Sequence, residues 1–256
     1  MTRSERWLSA LEARHFSDLT FQEVSRSLRA LSATYVERQD RLREGAALTG
    51  AGKRAAFALF YGPLHYLLVR EIVRSISPGD PERVALRDER ATLIYLGCGT
   101  GAAGAAWAEA CDPHPQIIGV DRNPWTLTEA AQTYRDFGLR ARTVRGDAAA
   151  FVFPKTRAMI LAAFTANELD DRGRTALLPR LMDRAASGDR ILIVEPIARS
   201  VGRWWTDWQR AFVSAGGRGD EWRFRVELPA LVTKLDRAAG LNHRELTGRS
   251  LYIGQV

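Results

Sequence analysis

Glycine at 97, 99, 101 and 104, with Asp121 twenty residues beyond Gly101, is a spacing that brings main chain and a carboxylate against one ligand. Glycines serve where the backbone must take positive φ or where a ligand comes close without meeting a Cβ. A helix opening directly behind such a loop turns its unpaired N–H groups toward that ligand. A carboxylate at the end of the next strand accepts both hydroxyls of a ribose. The chemistry implied is recognition of an adenosine-containing cofactor. The loop by itself fits two classes. Gly99-Thr-Gly101-Ala-Ala-Gly104 meets the dinucleotide pattern G-x-G-x-x-G, a weak signal alone. Gly97-Cys-Gly99-Thr-Gly101 meets the tighter loop of enzymes that use S-adenosylmethionine.

Other residues of chemical interest lie on either side. Asp147 follows a short polar strand, and Asn167-Glu168 follow an apolar one. Tyr61-Gly-Pro-Leu-His65 combines an aromatic ring, a backbone break and a histidine, a composition that suits a lid over a ligand. A histidine near its ordinary pKa of about 6.5 acts as a base; the plainer reading is a kinked core helix with a satisfied histidine. His15, His114 and His243 have no partner in sequence and read as surface or core residues.

The elements that must position these residues alternate between strand and helix. Thr92–Leu96, Gln116–Val120, Arg142–Arg145, Ala158–Phe164 and Arg190–Glu195 read as strands, with helices expected over 102–110, 125–137 and 172–186. That alternation implies a parallel sheet with right-handed crossovers. The tail, Asn242–Leu246, Thr247-Gly248 and Ser250–Ile253, reads as two short strands joined by a turn. Residues 1–88 read as a helical unit preceding a nucleotide-binding domain over 89–256. Thr20-x-x-Glu23 is a capping box, and Val24, Leu28, Leu31, Tyr35 and Leu42 follow it at helical spacing. Gly45 and Gly50–Gly52 end that helix. A second helix runs from Lys53 to Tyr61, and Gly62-Pro63 is expected to break or kink it, with Pro63 opening a third helix that ends near Ile76. Ser77–Pro81 reads as a connector.

From about residue 90 onward, these strand-end acids and the polar turn after the fourth strand resemble the class I S-adenosylmethionine-dependent methyltransferases. The resemblance implies an α/β, Rossmann-like, seven-stranded sheet with helices on both faces, whose last strand is reversed. It implies S-adenosyl-L-methionine as cofactor, with Asp121 on the ribose and Asp147 beside the adenine amino group. Tyr61, Gly97, Cys98, Gly99, Gly101, Arg122, Ala148 and Phe164 are the further expected cofactor contacts. Asn167 and Glu168 would face the methyl group, Asn167 orienting the acceptor and Glu168 taking its proton, with His65 as a second candidate base. The plainer role for Glu168 is a helix cap or an arginine pair. A dehydrogenase would need a separate substrate domain, for which too little chain follows. One departure stands out: where many members carry an acid two residues before the first loop glycine, helping to hold the methionine end of the cofactor, this chain has Tyr95.

The N-terminal unit, Asn167-Glu-Leu169 and Val194-Glu-Pro196 together look like the small-ribosomal-subunit methyltransferase-like family of bacteria and mitochondria. That likeness implies ribosomal RNA or the small subunit as partner. The cysteine cluster of mitochondrial members has no counterpart, since only Cys98 and Cys111 are present, so no metal carries over. The family's Asp/Asn-Pro-Pro-aromatic turn, associated with exocyclic amino groups of bases, is also absent.

The net charge of +7 fits an RNA partner, because cationic surfaces gain affinity by releasing phosphate counterions. Yet only three of 37 basic residues are lysine (53, 155 and 234), a bias that a G+C-rich genome produces unaided. Between 196 and 226 six arginines and four tryptophans interleave, which suits either an RNA-facing insert or an amphipathic helix packed on the sheet edge. Arg199, Arg203 and Arg225, with Lys53 and Arg54, are the expected phosphate contacts. No apolar run reaches the length of a membrane span and the charged N-terminus lacks the core of a signal peptide, so a cytoplasmic location is expected. The acceptor expected from sequence is ribosomal RNA. The alternatives are a small-molecule O- or N-acceptor, or a non-catalytic assembly factor with a vestigial cofactor site.

Overall fold

A computed structural model describes residues 1–37, 48–76, 91–197 and 203–254. Seven strands form one sheet in the order β3-β2-β1-β4-β5-β7-β6. They are β1 (Thr92–Leu96), β2 (Gln116–Asp121), β3 (Ala141–Arg145), β4 (Met159–Ala163), β5 (Arg190–Glu195), β6 (Arg218–Phe224) and β7 (Leu246–Ile253). The first five run parallel, and β7 is antiparallel between β5 and β6. The seven-stranded sheet with its reversed last strand is the architecture expected.

Both faces of the sheet are covered, which is why its central strands are apolar throughout rather than alternating. In β1, Leu93 and Tyr95 enter one core while Ile94 and Leu96 enter the other. The first core packs against α1 (Arg3–His15), α2 (Phe21–Glu37), α3 (Ala51–Ala56), α4 (Gly62–Ile76), α5 (Ala102–Glu109), α6 (Pro124–Asp136) and α9 (Ala230–Ala238). The second packs against α7 (Asp171–Ala186) and α8 (Arg203–Ser214). The N-terminal helices therefore share a core with the sheet. Trp7 of α1 lies between Tyr66 and Phe137 at ring separations of 5.5 and 5.2 Å. Arg14 pairs with Glu129 and Asp136 of α6, and Tyr66 of α4 donates to Glu109 of α5 at 2.7 Å.

The capping box at Thr20 and Glu23 is present, and Val24, Leu28 and Leu31 are buried. Leu42, Gly45, the Ser77–Pro81 connector and the boundary near 88 lie outside the described residues, as does the side chain of Tyr35.

Two expectations are corrected. Gly62-Pro63 does not break the helix: α3 continues through a π-helical turn, Phe57–Tyr61, into α4. Pro63 lacks an N–H, and its ring would strike the carbonyl of an ordinary preceding turn. A wider turn, in which Gly62 N–H donates to Phe57 O, accommodates it. The tail is one eight-residue strand and not a hairpin. Gly248 sits inside that strand because a Cβ there would meet Leu68 Cδ2 at 2.9 Å, so α4 can cross close above it. The strand's outer antiparallel partner is Arg218–Phe224, part of the segment read as arginine-rich. Among the described residues no helix is long and apolar enough to cross a membrane.

Candidate functional site

The C-terminal ends of the strands open into a cavity of about 1230 Å³, roofed by the helical run from Phe57 to Leu68. Its two halves follow the strand order. Over β1, β2 and β3 it is bordered by the glycine loop, Asp121–Pro124 and Gly146–Ala148. Over β4, β5 and β7 it is bordered by Phe164, Thr165, Asn167–Leu169, Glu195-Pro196, Leu241, His243 and Glu245–Thr247.

The glycine loop is held by its own hydrogen bonds and by Asp121. Cys98 N–H donates to Val120 O, and Gly101 N–H to Cys98 O. Asp121 accepts from Gly99 N–H and Asn123 N–H, one on each oxygen, both at 2.9 Å. A carboxylate has roughly four lone-pair sites, so its outward pairs remain for ligand hydroxyls. Helix α5 begins at Gly101 with no side-chain cap, and its first residues, Ala102 and Ala103, border the cavity. Unpaired N–H groups there are available to a ligand. At the third strand's end, Asp147 accepts from Ala149 N–H and pairs with Arg122.

Of the expected cofactor contacts, Tyr61, Gly97, Cys98, Gly99, Asp121, Arg122, Asp147, Ala148 and Phe164 all border the cavity. Gly101 does not. Its φ is +81°, and a Cβ would meet the Tyr134 ring at 2.9 Å, so its glycine serves the close packing of α5 on α6. Cys98 borders the cavity, but its thiol packs toward Gly119, and burial pushes its pKa well up.

The roof presents Phe57, Tyr61 and His65 one turn apart, with ring separations of 5.8 and 6.2 Å along the row. Tyr61 is hydrogen-bonded to Ser32. His65 stacks on Phe164 at 3.9 Å and 16°. Phe164 holds φ +57°, an uncommon conformation for an aromatic residue and one that recurs at functional sites. The expectation that His65 keeps its ordinary pKa is overturned: burial pushes it down to about 3. A conjugate acid that strong makes His65 a weak base near neutrality.

The turn after β4 carries Asn167 and Glu168. Thr165 donates its hydroxyl to Leu96 O at 2.9 Å, and Glu168 N–H donates to Thr165 O at 3.0 Å, so the turn is pinned to the glycine loop. Glu168 lines the cavity with its side chain exposed, and desolvation among the lining residues, with Asp121 nearby, pushes its pKa up to about 7. The plainer roles for Glu168 fall to its neighbours: Asp170 caps α7 and Asp171 pairs with Arg174.

Sequence reading missed several bordering residues. Glu195 is fully buried, accepts from Asn167 N–H at 3.1 Å, and is pushed up to about 8, first by burial. His243 lies at the cavity mouth, where Nδ1 is 2.5 Å from Asp236 Oδ1 and its main-chain N–H donates to Asp236 Oδ2. The six residues between Asp236 and His243 span the end of α9 and a loop, so no periodicity links them.

Of the two roles open to the tryptophans, RNA contact and packing, the structure shows packing. Trp205 and Trp208 are buried, Trp222 donates to Ser250 Oγ at 2.8 Å, and Arg174 lies over Trp204. Arg54 sits over Trp125, and neither it nor Lys53 borders the cavity. Arg225 pairs with Glu245 near the mouth. Arg199 and the side chain of Arg203 lie outside the described residues.

Residues 94–188 match the model of a methyltransferase domain. No curated protein is significantly similar to the chain. Among solved structures it is similar to a TehB-like SAM-dependent methyltransferase from Corynebacterium glutamicum, at 18% identity and TM-score 0.42 over 75% of this chain and 98% of that one. It is similar to precorrin-6y C5,15-methyltransferase from Geobacter metallireducens, at 12% and 0.48 over 73% and 88%. The plantazolicin methyltransferase BpumL, solved in complex with SAH, is likewise similar at 12% and 0.48 over 96% and 100%. Residues 94–188 form the domain of an S-adenosylmethionine-dependent methyltransferase, and S-adenosylmethionine is its cofactor. The residues present fit that group: an uncapped helix start, a ribose-competent carboxylate at 121 and an apolar roof enclose one half of the cavity.

Proposed function

We propose that the chain transfers the methyl group to a nitrogen or oxygen of a small-molecule acceptor bound in the half of the cavity over β4, β5 and β7. The observation that carries this reading is the cavity's lining. Among the described residues bordering it, Arg122 is the one arginine, it pairs with Asp147, and there is no lysine. A site for polyphosphate backbone would need several free cations. The volume of about 1230 Å³ exceeds the range of roughly 300–1,000 Å³ usual for a single ligand, which leaves space for an acceptor beside the cofactor. The buried Trp205 and Trp208 are not open to stack on bases.

The cofactor supplies an electrophilic methyl group. What this chain must add is position and a proton acceptor. Asn167 faces the acceptor half. His243 is the base: a carboxylate only accepts, so the Asp236 contact fixes the N–H on Nδ1 and leaves Nε2 to take the acceptor's proton. Incubation with labelled S-adenosylmethionine, a panel of phenols, amines and N-heterocycles, and small-subunit RNA tests this. Methyl incorporation into a small molecule is expected, with none into RNA. With that acceptor, Asp236→Asn should lower kcat on the order of 100-fold while cofactor affinity is unchanged. Labelled RNA, or an Asp236→Asn enzyme at full rate, would overturn the assignment.

A further inference from the structure

Position 95 leaves a question about the amino-acid end of the cofactor. Tyr95 is 3% exposed, and its ring lies where a Cβ on Gly104 would meet it at 2.7 Å. Burial, with acids around it, keeps this phenol protonated, so it cannot balance an ammonium group. The acids that surround it are Asp121, Glu168 and Glu195. Two of these three already have work. Asp121 accepts a main-chain N–H on each oxygen. Glu195 has no exposed surface, and it accepts from the turn above it. Glu168 differs from both: its surface faces the cavity, and no side-chain hydrogen bond or ion pair is made by it among the described residues.

The geometry of the turn places that carboxylate. Thr165 is tied by its hydroxyl to Leu96 O, and Glu168 is tied to Thr165 through the main chain. The residue that follows β4 is thereby fixed beside the loop that Tyr95 precedes. We propose that Glu168 binds the α-ammonium group of S-adenosylmethionine, replacing in space the acid that is absent from position 95. This rests on S-adenosylmethionine being the cofactor. Glu168 is exposed at the cavity lining with no cation beside it, desolvation and Asp121 hold it above its usual range, and an ammonium ligand would relieve that. On this assignment Glu168 belongs to cofactor binding, and the acceptor's proton goes to His243.

The test compares two ligands by calorimetry on the full chain. S-adenosylhomocysteine carries the amino-acid end; 5′-methylthioadenosine shares the adenosine and thioether but lacks that end. Glu168→Gln, with its melting temperature checked, should lose at least tenfold in affinity for S-adenosylhomocysteine and bind methylthioadenosine within twofold of the parent. Adding Tyr95→Asp to Glu168→Gln should restore part of the lost affinity. Undiminished binding of S-adenosylhomocysteine by Glu168→Gln overturns the proposal, and so does an equal loss for both ligands, which would mean that Glu168 acts through the fold. A parent protein that binds methylthioadenosine but not S-adenosylhomocysteine also overturns it while leaving the adenosine site intact. If the parent binds neither ligand, the cofactor reading fails with it.

Discussion

Replacing Gly97 by alanine is expected to lower the melting temperature by roughly 10 °C, a far larger drop than the same change at Gly138 produces. Both glycines hold positive φ, +62° and +69°. Placing a Cβ in that conformation costs about 1–2 kcal/mol at either site. They differ in surroundings. Nothing lies within 4 Å of a Cβ at 138, whereas at 97 it would meet Thr165 Cγ2 at 2.4 Å and Oγ1 at 2.5 Å. Thr165 cannot swing away without giving up its bond to Leu96 O. Overpacking of that kind adds about 1–3 kcal/mol, and a chain of this size loses roughly 2–4 °C per kcal/mol. Scanning calorimetry on the two variants decides the matter. Equal melting temperatures would show that Thr165 is not wedged against the loop.

Stability is expected to fall as the pH rises from 6.5 to 8, and Glu195→Gln should remove most of that fall. Burial pushes Glu195 up to about 8 from an ordinary value near 4.5, with Glu168 beside it adding to the rise. A carboxyl whose folded pKa is raised ionises more readily when unfolded, so its stabilising contribution is complete below about 4.5 and is lost as the pH climbs through 8. Glu168, at about 7, acts in the same direction. His65 acts oppositely: pushed down to about 3, it favours the folded state less and less as the pH drops below 6.5. Above 6.5 that contribution is flat, and the carboxyls stand clear. The slope there approaches about 1.4 kcal/mol per pH unit for one fully differential group. Glutamine keeps an oxygen for Asn167 N–H and removes the charge, so its urea midpoint should be nearly level between pH 7 and 8. A variant with the parental slope would mean that Glu195 titrates normally.

The sheet was legible because its residues are doubly constrained. Ile191–Val194 and Leu93–Leu96 are continuous apolar runs bounded by polar or turn residues, and a strand covered on both faces needs that pattern. The loop was legible because close approach admits only glycine, and nine of the ten expected cofactor contacts border the cavity. What sequence obscured were features made by distant packing. Gly248 resembles a turn residue until Leu68 is seen above it. Gly62-Pro63 resembles a break until a π turn absorbs the proline. Strand β6, Arg-Gly-Asp-Glu-Trp-Arg-Phe, lies at the sheet edge, where charged side chains are tolerated and blunt edge pairing; its composition reads as an insert. The Asp236–His243 pair joins the end of a helix to a loop, and only the fold brings them together.

The central claim is that S-adenosylmethionine occupies the cavity with its ribose on Asp121. Calorimetric titration of the full chain with S-adenosylhomocysteine and with NADH, repeated on Asp121→Ala, tests it most directly. One site for S-adenosylhomocysteine and no heat from NADH are expected. Loss of charged hydrogen bonds to the ribose should weaken Asp121→Ala by about 2 kcal/mol, roughly 30-fold. Saturable binding of NADH, with S-adenosylhomocysteine silent, would contradict the claim.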